Sequence, residues 1–176
     1  AFYTRRIDVL RQAFALVPDY LRTAEGNAGV PNLMDTGVQL GRRFRALKLW
    51  MVLRVYGAQG IRVLLAEHMR LARTFAAWVD ADPLFERLAP TPFSVVCFRA
   101  APPNVPVADM DGFNERLLEA VNATGDVFLS HTRLHGAVVL RLAVGHMRTT
   151  EAHVARAWEL LREKAADVAA SDVGRR

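Results

Sequence analysis

Up to about residue 81 the apolar positions of this chain recur every three to four residues; after Pro83 they gather into short strand-like runs. Within TRRIDVLRQAFAL, Ile7, Leu10 and Phe14 fall on one face and predict a helical turn or two, interrupted by Pro18. From Tyr20 to Gln39 no period survives, and a stretch that long inside a compact domain is either functional or disordered. GRRFRALKLWMVLRVYG then predicts an apolar helix with basic residues early and Gly57 as its stop. After a bend at YGAQG, Gly60 opens a second helix. Its stripe is Ile61, Leu64, Leu65, His68, Ala72, Phe75 and Val79, with Arg62, Glu67, Arg70 and Arg73 largely outside.

Beyond Pro83, FERLAP and FSVVCFRA read as strands, followed by the proline-rich link APPNVPVAD. Asp111 is placed to cap a helix with Phe113, Leu117, Leu118 and Val121 on one side, closed by Asn122–Gly125. DVFLSHT and GAVVLRLAV, joined by RLHG, predict a hairpin. Thr150 caps a last amphipathic helix carrying Val154, Ala157, Trp158, Leu161, Ala165 and Val168, and the tail SDVGRR is expected to fray. Strand, strand, helix, hairpin, helix over residues 82–176 predicts a small α+β lobe, its antiparallel sheet covered by helices. Residues 1–81 hold two long helices and the loop 20–40 but no sheet. They expose so much apolar helix surface that they are expected to belong to a larger domain or a tight dimer.

The composition, 52% hydrophobic and 23% charged, is that of a globular protein and excludes a disordered one. With no run of about 18 apolar residues, no membrane span is expected. The start AFYTRR, without a methionine or a signal peptide, suggests a processed or truncated product. The single cysteine, Cys97, rules out an internal disulfide and fits a reducing, cytoplasmic setting; within FSVVCFR it reads as a buried, inert thiol. His68 reads as a satisfied interior histidine, because no second metal-ligating residue follows at helical spacing.

Net charge is +5, and all but Lys48 and Lys164 of the 23 basic residues are arginine. Such a balance raises the question of nucleic acid. The cluster Arg42, Arg43, Arg45 and Lys48, with Phe44 and Trp50, lies on a helix-like stretch rather than on a strand platform or a DNA-binding motif, which weighs against it. One arginine stands out. GAVVLRLAVG threads Arg141 between apolar triplets, and an unpaired guanidinium in a buried strand costs several kcal/mol, by roughly the effective penalty for a buried ion. An anion should meet it, from the protein or from a substrate.

The runs VQLGRRFRALKLWMVLRVYG, LFERLAP with FSVVCFR, and LLEAVNATGDVFLSHTRLHGAVVLRLAVG…EAHVARAWELL resemble the group II pyridoxal-phosphate-dependent decarboxylases, nearest to the aromatic-L-amino-acid decarboxylases. The resemblance covers almost the whole chain. It implies the C-terminal part of a fold-type I enzyme, an α/β protein: residues 1–81 would end the large cofactor domain and 82–176 would form the small domain. It further implies pyridoxal 5'-phosphate as cofactor, an amino-acid substrate, and a homodimer with sites at the subunit interface. In that family the Schiff-base lysine lies upstream of the position matching Ala1, and neither Lys48 nor Lys164 has the neighbours it requires. The fragment alone is therefore expected to be inactive.

Family roles transfer to matching positions. Pro18-Asp19-Tyr20-Leu21 matches a mobile catalytic loop whose tyrosine returns a proton to the carbon that has lost carbon dioxide. The alternative for Tyr20 is an ordinary loop aromatic. Leu40-Gly41 matches the backbone that approaches the partner's cofactor phosphate, or else Gly41 is a simple N-cap. Arg141 matches an arginine that resembles a substrate-carboxylate clamp in glutamate-type relatives, or it pairs with an acidic residue of the missing domain. Where relatives carry an aromatic-x-x-Trp ahead of the paired arginines, this chain has Leu33 and Thr36. Tyr20, where aldehyde-forming relatives have phenylalanine, favours true decarboxylation. Two readings of other classes stand beside this one: a free-standing binding or regulatory module, and a basic nucleic-acid-binding protein.

Overall fold

Ile7–Phe14 form the first helix (α1), as the spacing of Ile7, Leu10 and Phe14 requires, yet none of its side chains is buried. The computed structural model describes residues 4–15, 33–38 and 44–173. Tyr20, Leu40, Gly41 and the end of the tail lie outside them. The chain divides into two compact units, Ala1–Val55 and Tyr56–Arg176. In the first, α1 lies beside a 3-10 turn, Leu33–Thr36, closed by the Thr36 hydroxyl donating to Leu33 O at 2.8 Å.

The long helix α2 (Arg45–Ala81) contains both predicted helices. The break between them is confined to Gly57, whose backbone (φ 62°, ψ 174°) is one that glycine adopts without a Cβ penalty. Gly60 lies inside the second segment rather than opening it. From Leu49 to Leu53 five consecutive apolar side chains are 44–62% exposed. A helix apolar on every side is one that other structure buries. The sequence reading expected no membrane span. By length and composition alone α2 could form one, since an 18-residue window reaches a mean hydropathy of 1.2 with none of it buried.

The second unit holds a four-stranded antiparallel sheet of β1 (Phe85–Arg87), β2 (Val95–Ala100), β3 (Ser130–Leu134) and β4 (Ala137–Ala143), ordered β1-β2-β4-β3. Helices α3 (Met110–Asn122) and α4 (Glu151–Val173) complete the predicted α+β lobe. Val96 pairs with Leu142 and Phe98 with Leu140, so these alternate residues share the core face. Leu71, Phe75 and Val79 of α2, Phe113 and Leu117 of α3, and Leu161 of α4 pack in the same core. Phe75 meets Phe98 edge-on at 5.1 Å and Trp158 at 5.6 Å.

Several local expectations needed revision. FERLAP pairs over three residues only, because Pro90 and Pro92 cannot donate to a ladder. DVFLSHT begins pairing at Ser130; before it, the Asn122 amide accepts from Leu129 N (2.8 Å) and donates to Leu129 O (3.0 Å), holding that segment to α3 instead. Asp111 is not the cap of α3. A 3-10 turn, Val107–Asp109, leads into the helix, and Asp111 sits in its first turn. Its carboxylate accepts from Val138 N (2.9 Å) and Arg133 (3.0 Å), tying helix to hairpin. The hairpin turns on His135 and Gly136, both at positive φ (50° and 86°), the geometry that two-residue loops favour. Thr150 does start α4: its N–H and hydroxyl lie 3.1 and 2.8 Å from His153 Nδ1, a reach-back cap with histidine at the third helical position.

His68 is buried at 5% exposure, as expected, but not satisfied: its Nε2 has no hydrogen-bond partner among the described residues. Replacing it by leucine removes a buried unmatched polar atom, so His68→Leu should raise stability by about 1 kcal/mol. The check is a higher urea midpoint; a lower one would show that the ring is bonded in solution.

Candidate functional site

Alternation along β2 and β4 puts Val96, Phe98, Leu140 and Leu142 on the core face and turns Cys97, Arg99, Val139 and Arg141 to the opposite face. Register then decides neighbours. Arg141 stands directly between Cys97 of β2 and Ser130 of β3. One row away, Arg99 is ion-paired with Glu86 of β1, its cross-strand partner. Arg141 is half-buried and has neither an ion pair nor a side-chain hydrogen bond among the described residues. So the anion anticipated from the sequence is not supplied by these elements. Arg99 is neutralised and Arg141 is not, which leaves one fork-shaped donor set open on a face of thiol, hydroxyl and small apolar groups.

Cys97, expected to be buried, is half-buried instead, because its strand position points away from the core. Neither Cys97 nor Ser130 stood out as a neighbour of Arg141 in the sequence. The available signal was the two-residue alternation of FSVVCFRA, but the pairing partner of each position depends on register.

The two lysines answer the question of a covalent cofactor anchor. Lys164 lies 2.6 Å from Glu163 Oε1 and 3.1 Å from Asp167 Oδ2. The hydrogen bond to Glu163, then that to Asp167, raises its pKa and holds it as an ammonium ion, the opposite of what a carbonyl-reactive amine needs. Lys48 is exposed on α2, without the protected surroundings that activate such a lysine. Neither fits. Tyr20, Leu40 and Gly41 lie outside the described residues. Among the described residues no group of histidine, cysteine and carboxylate side chains is arranged to hold a metal ion.

Comparison with known proteins adds what the geometry does not. Residues 1–101 match the family described as the pyridoxal-dependent decarboxylase conserved domain. A phenylacetaldehyde synthase of Arabidopsis thaliana is 42% identical over 90% of this chain and 32% of its own length. A tyrosine decarboxylase 2 of the same organism is 45% identical over 88% of this chain and 29% of its own. The crystal structure of Oryza sativa TDC with PLP and tryptamine superposes with a TM-score of 0.79 at 35% identity, over 89% of this chain and 33% of that one. The chain thus spans about a third of the length of the relatives it matches.

Proposed function

Since the chain belongs to the pyridoxal-dependent decarboxylase family, we propose that it is the C-terminal portion of an amino-acid decarboxylase acting on an aromatic L-amino acid. The observation that carries this reading is the family match over residues 1–101, which takes in the residues 1–81 that hold no sheet of their own. The sheet lobe supports it, since the solved relative at 35% identity shares that architecture.

Pyridoxal phosphate, when bound, supplies the electron sink for the carbon that loses the carboxylate. Its covalent anchor would come from the remainder of the enzyme, because Lys48 and Lys164 do not fit that role. This segment would contribute three things. Tyr20, at the position of the family's catalytic tyrosine, would donate a proton to the decarboxylated carbon. Leu40-Gly41 would let the backbone approach the partner subunit's phosphate. Arg141 would meet an anion from outside the described residues, either a substrate carboxylate or an acidic side chain of the large domain.

In this arrangement residues 1–81 would end the large domain and 82–176 would form the small one, with the end of α2 packed into the core of the sheet lobe. The exposed apolar surface of α2 is covered by protein, from the same subunit or its homodimer partner, in a cytoplasmic enzyme.

The test is turnover. Full-length protein with pyridoxal phosphate and an aromatic L-amino acid should release the amine and carbon dioxide, and the 176 residues alone should release neither. Turnover by the 176 residues alone, or a full-length protein inert toward aromatic amino acids, would overturn the reading.

A further inference from the structure

A groove of about 490 Å³ opens between the C-terminal end of α2 and the middle of α4, walled by Trp78, Trp158, Pro83 and Leu84. That volume lies within the roughly 300–1,000 Å³ typical of small-molecule sites. The Trp158 ring is fixed from behind by Phe75 and by Phe85 at 4.9 Å, so one indole wall is preorganised. The groove carries a single acid, Asp82, whose side chain is only 13% exposed. One carboxylate oxygen is committed to the chain, accepting from Leu84 N at 3.0 Å. The other meets Arg162 Nε at 3.2 Å, from a side chain that is itself 63% exposed.

We propose that this groove binds an organic ammonium ion, its charge on Asp82 and its apolar part against Trp78 and Trp158, and that the Arg162 guanidinium is the internal cation it displaces. A carboxylate beside two indole side chains favours a cation through charge, and a ring face stacked on that cation would add to it. An anionic ligand would confront Asp82, and a neutral one would leave the Asp82–Arg162 pair in place and gain only the walls. Arg162 is 63% exposed, so its ion pair with Asp82 is a weak one. The site does not rest on the decarboxylase reading, although the aryl amine which that reaction would release falls within the ligand class.

Calorimetric titration of the full-length protein tests it. Titration with 2-phenylethylammonium should give a saturable change that 3-phenylpropionate does not. Asp82→Asn, which keeps the acceptor for Leu84 N, should weaken binding about fivefold or more. Arg162→Ala, an exposed substitution, should tighten it about threefold or more, because the competitor is gone. Equal response to the anion, no saturation with the ammonium, or an Arg162→Ala affinity that is unchanged or lower would each overturn the proposal. Absence of decarboxylase activity in the full-length protein would leave these outcomes unaffected.

Discussion

Replacing Tyr20 by phenylalanine in the full-length enzyme is expected to lower amine release by about 100- to 10,000-fold, the range that a positioned general acid contributes. The substitution removes one hydroxyl and leaves the ring, so loop packing and substrate affinity should change little. The loss should therefore fall on kcat rather than KM, the pattern of a group used only in the transition state. The carbon that has lost its carboxylate then lacks its proton donor and stays open to dioxygen. The variant should divert product toward aldehyde and ammonia, with dioxygen reduced to hydrogen peroxide and water releasing the ammonia. Product analysis under air separates the outcomes. Undiminished amine from Tyr20→Phe would return Tyr20 to an ordinary loop aromatic, and aldehyde with ammonia from the unaltered enzyme would refute true decarboxylation.

The second large effect is structural. Asn114 is completely buried, and its side-chain amide closes three hydrogen bonds: it accepts from Ala100 N (2.8 Å) and donates to Ala100 O and Met110 O (2.9 Å each). It thereby fastens α3 to the last residue of β2. Asn114→Ala removes all three bonds and strands buried backbone groups of Ala100, so it should cost about 3 kcal/mol. A urea titration checks this against Asn104→Ala, an exposed loop change expected to cost almost nothing. Equal midpoints for the two variants would overturn the assignment.

Asn114→Asp should be worse at neutral pH than at pH 4. An ionised carboxylate can still accept from Ala100 N, but it would face two carbonyl oxygens with no donor, in a buried place that raises its pKa above the unfolded value. Protonation restores one donor. Relative to the parent chain the variant therefore recovers as pH falls through its raised folded pKa and loses stability as pH rises.

These two residues stand at opposite ends of what could be read beforehand. Tyr20 is singled out only through resemblance to a family, and no periodicity marks it. Asn114 was passed over, because an asparagine within an amphipathic helix looks the same whether it faces water or a strand end. Only the docking of α3 on β2 shows that it must satisfy Ala100. Asp111 was misread for a related reason. As a residue type it suits a helix cap, but the carboxylate was drawn to Val138 N and Arg133 across 27 and 22 residues, partners that local pattern does not contain. His68 was placed correctly on the apolar stripe. Whether its ring nitrogen finds a partner depends on what packs opposite.

The features that the sequence determined by itself are those set by neighbours along the chain. They are the helix stop at Gly57, the His135-Gly136 turn and the Thr150 start of α4. Each follows from backbone sterics or from a local cap, which act over a few residues. Tertiary structure alone decided that the end of α2 packs into the sheet's core, that Arg141 lies between Cys97 and Ser130, and that Asp82 shares a groove with two tryptophans. Such pairings join residues far apart in the chain. They are settled by strand register and by how helices bury their apolar faces together, which no local run of residues encodes.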